Sequence, residues 1–162
     1  MDDDDEQTAV TVVDRCVGRV RSEEFDPIRL RHLLERAIEA SGLPVERLHI
    51  EIVDDAEMDR LHRTHSGLPG TTDVLTFPQS LPGEPIDADV AICLDEALRQ
   101  AAEFGHDAAR EVLLYAVHAL LHCAGHDDHD PAAFERMHAE EDRILRAIGV
   151  GATFRPEGGF RP

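Results

Sequence analysis

The sequence predicts an α+β fold: a single domain with a small mixed sheet of about four strands, packed with about five helices. Three observations lead there. Four short segments are β-branched or alternate in polarity, and five longer ones repeat their apolar residues at helical spacing. Glycine, proline or aspartate stands at most junctions between them. The length of 162 residues suits one hydrophobic core and argues against a second domain.

Each element has its own signal. After an acidic start, Ala9-Val10-Thr11-Val12-Val13 is β-branched and short enough for a strand. From Pro27 to Ser41, Leu30, Leu33, Leu34, Ala37 and Ile38 recur at helical spacing, with Asp26 as N-cap and Gly42 as the stop. Leu48 to Val53 alternates as a strand, and Asp55 opens a short helix carrying Met58, Leu61 and His62. A loop from Ser66 to Thr71 leads to the strand Asp73-Val74-Leu75-Thr76-Phe77, which Pro78 is expected to end. Gln79 to Asp87 reads as a surface loop, Asp89 to Leu94 as a strand, and Asp95 to about Phe104 as a helix. Two helices close the domain, Asp107 to Ala124 and Pro131 to Ile148, the second with Met137, Ile144, Leu145 and Ile148 as its apolar stripe. The domain is thus bounded at 9–150, with an acidic tail at 1–8 and a flexible, glycine-rich tail at 151–162.

Composition narrows the partners. No apolar run approaches the roughly 20 residues that cross a bilayer, and the acidic start lacks the basic and apolar regions of a secretory signal, so the expected location is the cytoplasm. Cys16, Cys93 and Cys123 are widely spaced in apolar segments and read as buried free thiols. The net charge is -18 and every one of the 16 basic residues is arginine. That balance argues against a general phosphate-binding surface, because nonspecific nucleic-acid affinity comes from basic charge that displaces counterions. An RNA partner therefore has to be argued from a local site.

The segment that carries chemistry runs from Val117 to His129. His118 and His122 are four apart in a helical pattern, so their imidazoles leave one face and converge on a single metal, while Leu113, Val117, Leu120 and Leu121 bury the helix as a rigid mount. Gly125 ends the helix and folds the chain back, which brings Asp128 and His129 within reach as the third ligand. The zinc peptidase pattern H-E-x-x-H places a general base after the first histidine, but Ala119 stands there and cannot take a proton. No side chain presents itself as the base. His126 and Asp127, beside the turn, are placed to orient the ligands.

These residues resemble a known family, the YbeY endoribonucleases of bacteria. His118-Ala119-Leu120-Leu121-His122-Cys123-Ala124-Gly125-His126-Asp127-Asp128 follows the family's H-G-x-L-H-L-x-G-Y-D-H without a gap. Thr72 to Pro78 is similar to its P-T-D-V-L-S-F-P and Ala88 to Cys93 to its G-D-I-x-I-C, while Glu111, Met137, Glu141 and Leu145 also fall on family-like positions. The resemblance covers about residues 10–148. It implies one metal per chain, usually taken as zinc, and cleavage of single-stranded RNA in ribosomal RNA maturation and ribosome quality control.

Two departures qualify it. The family's third ligand is histidine, whereas the gapless position is Asp128, with His129 one residue later. Aspartate oxygen is an acceptable zinc ligand, so the expected set is His118, His122 and Asp128. In Leu61-His62-Arg63-Thr64-His65-Ser66, similar to the family's L-N-x-x-Y-R, Ser66 replaces an arginine thought to contact the RNA phosphate. Serine brings neither charge nor a two-pronged fork, and Arg60 and Arg63 are the nearest candidates to compensate. Two rivals follow. One is a ribosome assembly factor with a structural metal and no activity; the other is a metal-dependent hydrolase of a peptide or small ester, against which the missing glutamate counts.

Overall fold

A computed structural model describes residues 9–16 and 25–151, so the acidic tail and all of the C-terminal tail but Gly151 lie outside the described residues. The elements are β1 (Val10–Asp14), α1 (Pro27–Ser41), β2 (Val45–Val53), α2 (Asp55–Ser66), β3 (Val74–Pro78), β4 (Ile86–Cys93), α3 (Leu94–Phe104), α4 (Ala108–Cys123) and α5 (Pro131–Ala147). The strands form one sheet in the order β1-β2-β4-β3. β1, β2 and β4 run parallel, and β3 lies antiparallel to β4 at the edge, so the sheet is mixed as expected.

The period of two along the strands divides the interior. Leu48, Ile50, Ile52, Ala88, Val90 and Ile92 belong to the main core, which α1, α3, α4 and α5 complete. Val53, Ala91 and Cys93 instead belong to a smaller cluster with Met58 of α2. α4 is the spine of the main layer: its buried residues fall all round the helix, which marks an interior helix rather than an amphipathic one. Only Ala109, Arg110, His118 and His122 along it are partly open. The two histidines are therefore carried by an element that has little freedom to move.

Two strands begin earlier than alternation suggested. β2 starts at Val45 and β4 at Ile86 because charged side chains there serve the sheet across strands. Arg47 reaches Asp87 at 2.8 Å and grips both oxygens of Asp89 at 2.9 and 3.1 Å. Such pairing makes polar residues good strand formers where hydrophobicity alone reads a loop. β3 ends at Pro78 as expected, and an edge strand accommodates a residue with no N–H to donate. The three cysteines are free and buried. Among the described residues no helix is long and apolar enough to cross a membrane.

Candidate metal centre

The C-terminal half of α4 and the turn after it bring the chemistry together. Asp107 caps α4 through the Arg110 N–H, and the helix runs unbroken through both histidines to Cys123. Gly125 then takes a φ of 102°, a conformation that side-chain-bearing residues seldom adopt. The chain doubles back, and Asp128 faces the histidines. Its Oδ2 lies 3.8 Å from His118 Nε2 and 3.9 Å from His122 Nε2, and the two Nε2 atoms are 3.0 Å apart. His129 turns away, with 89% of its side chain exposed and its Nε2 3.6 Å from Asp127.

The other ring nitrogens decide what the cluster can hold. His118 Nδ1 is 2.6 Å from a carboxylate oxygen of Glu141, and His122 Nδ1 is 3.1 Å from the backbone carbonyl of His126. A carbonyl and a carboxylate only accept, so each Nδ1 must donate, and each neutral imidazole then presents a lone pair at Nε2. Two lone pairs facing each other beside a carboxylate form a donor set that can hold a cation. Zinc sits roughly 2 Å from each ligand atom, which in tetrahedral geometry sets those atoms roughly 3.3 Å apart. The observed separations of 3.0 to 3.9 Å bracket that spacing, and the donor set fits the ion.

Burial disfavours a charged His118, but the hydrogen bond and charge of Glu141, with smaller contributions from Asp73 and Asp128, outweigh burial and raise its pKa. Burial and the charge on His118 lower the pKa of His122. Glu141 is buried, which would raise its pKa, yet the contacts with His118 and His138 hold it below the usual carboxylate range.

Glu141 entered the sequence reading only as a family-like position. Its approach to His118 crosses from α5 to α4 over 23 residues, and no spacing rule signals it. His126 supports His122 through its backbone rather than its ring. Asp127 instead accepts from the His129 N–H and shapes the turn. α2 carries the two arginines considered for phosphate contact. Arg60 pairs with Glu57 at 2.5 Å and Arg63 with Asp59 at 2.8 Å on their own helix, both as exposed side chains. Ser66 donates to the His62 carbonyl at 2.7 Å, closing the helix end, and His65 packs against Phe77 at 4.4 Å between ring centroids.

The profile of the family described as Endoribonuclease YbeY matches residues 19–149 of this chain. The chain belongs to the YbeY family. The Endoribonuclease YbeY of Halorhodospira halophila is 42% identical over 128 residues, 75% of this chain and 82% of that protein. That of Symbiobacterium thermophilum is 36% identical over 141 residues, 80% of this chain and 90% of the other. Among solved structures, the solution structure of TM1509 from Thermotoga maritima aligns with a TM-score of 0.54 over 94% of this chain and 99% of that one. At 22% identity it shows the shared fold. Against the YbeY pattern quoted above, the cluster keeps both helical histidines and the turn glycine and carries a carboxylate as its third donor.

Proposed function

We propose that this chain is a single-strand-specific, metal-dependent endoribonuclease of the cytoplasm that acts on ribosomal RNA in ribosome maturation and quality control, with one zinc ion per chain held by His118, His122 and Asp128. The observation that carries the reading is the pair of Nε2 lone pairs converging beside Asp128, in a chain whose relatives are named endoribonucleases. When bound, the ion supplies a Lewis acid for a phosphate oxygen and lowers the pKa of a coordinated water. The chain's own residues hold the ligands in the tautomers that aim both Nε2 atoms at the ion. Ala119, fully buried, offers no base of the peptidase kind, which counts against hydrolysis of peptides.

Zinc-loaded protein incubated with ribosomal and unrelated single-stranded RNA, beside His118→Ala, tests this directly. Cleavage by the natural chain and none by the variant is the expected outcome. Ribosome binding without cleavage by either would instead favour the assembly-factor reading, to which Ser66 and the charge of -18 lend weight. The third ligand has its own test. Asp128→Ala is expected to lower zinc affinity by at least the roughly ten- to hundredfold that loss of an outer partner costs, and His129→Ala to leave it nearly unchanged. Isothermal titration of the metal-free variants measures both, and the reverse order would transfer the ligand role to His129.

A further inference from the structure

Glu141 stands at an unusual place for a charge. It is 1% exposed, on a face of α5 that Met137, Ile144 and Leu145 anchor in the core. Removing a carboxylate from water is costly, and where only packing is at stake an apolar side chain of similar size is as stable or more so. Both of its oxygens lie beside imidazoles. Oε1 accepts from His118 Nδ1 at 2.6 Å, and Oε2 lies 2.9 Å from Nδ1 of His138, one helical turn earlier on α5. His138 is itself nearly buried, its ring edge-on to Phe134 at 4.3 Å between centroids. Three side chains from two helices thus line up behind the cluster, and only the first of them faces the other donors.

We infer that Glu141 and His138 are positioning residues for the metal: Glu141 holds His118 in the tautomer and rotation that aim Nε2 at the ion, and His138 steadies the second oxygen of Glu141. The inference rests on the metal reading proposed above. A carboxylate on the far nitrogen of a metal-bound imidazole fixes the ring and makes its ligating nitrogen more basic. His122 has a backbone carbonyl in the same place, a neutral partner, so the two ligands are supported unequally. A carboxylate that could rotate would release His118, and the ring of His138, held by Phe134, opposes that rotation.

The test uses the full chain stripped of metal, with Zn2+ affinity read by competition against a chelator and the visible absorption of the Co2+ form read as a report on ligand geometry. Glu141→Gln keeps size and an acceptor for His118 but loses the charge; Zn2+ affinity is expected to fall by about ten- to hundredfold. His138→Phe keeps the bulk against Phe134 and loses the ring nitrogen; a smaller fall and a shifted Co2+ band are expected, with His138→Gln recovering part of both. A merely structural role predicts lower melting temperatures of the metal-free variants with unchanged Zn2+ affinity and Co2+ spectrum, and that result overturns the inference. Should Glu141→Gln fail to fold, the His138 pair decides alone by the same readouts. Failure of the natural chain to take up either ion overturns the metal reading and this inference together, whereas uptake that the variants leave unchanged overturns the inference alone.

Discussion

Protein purified with both His118 and His122 replaced by alanine is expected to carry essentially no metal, against close to one ion per chain in the natural form. The donors that remain, Asp128 and the exposed His129 beside Asp127, belong to one short turn and lack a rigid mount. The two imidazoles, by contrast, project from a helix that is buried nearly all round. Loss of the pair removes the only helix-borne nitrogen ligands among the described members of the His118, His122 and Asp128 cluster. The fold should survive. Both positions are partly open, and the main cost is that Glu141 loses its hydrogen bond from His118, about 1–3 kcal/mol for a buried polar partner. Elemental analysis after dialysis, with circular dichroism to establish folding, measures the outcome; metal content undiminished in a folded double variant would place the ion elsewhere.

What made the site legible in the sequence is that most of it is local. The histidines are four apart on one helix, and the glycine that reverses the chain is three residues beyond the second, so periodicity and turn chemistry suffice to bring Asp128 back to them. The order of elements was legible for a similar reason: Asp26, Gly42 and Asp107 act as the caps and stop their positions suggest. The remainder depends on contacts distant in sequence. Glu141 meets His118 across 23 residues, and Arg47 meets Asp89 across 42, in both cases through the packing of separate elements. Charge placement was equally hidden. Asp73, Asp128 and Glu141 all act on His118. Composition counts carboxylates and does not locate them.

That local acidity makes Ser66 the most informative position for RNA recognition, and Ser66→Arg is expected to tighten binding of single-stranded RNA by about 1–3 kcal/mol, the value of a charge-assisted hydrogen bond. Ser66 is exposed and is the last residue of α2, before Gly67 with its φ of 74°. An arginine fits there without steric cost, and its charge is favourable at the negative end of the helix. The loss is the hydroxyl contact to the His62 carbonyl, about 0.5–1.5 kcal/mol of stability at most. α2 is held to the loop that follows it by the contacts of His62 and Asp59 with Gly70, and that loop leads into Asp73, whose charge reaches His118. The new side chain therefore starts from the helix end whose following loop leads to Asp73. Arg60 and Arg63 remain bound to Glu57 and Asp59, so the added fork has no nearby equivalent on this helix. Fluorescence anisotropy with a labelled single strand at several salt concentrations separates charge from geometry. Ser66→Arg should steepen the salt dependence by about one phosphate contact, and Ser66→Lys, which adds the charge without the fork, should do so with a smaller gain in affinity. Equal affinity and equal salt slope in the natural protein and Ser66→Arg would mean that RNA does not pass the end of α2.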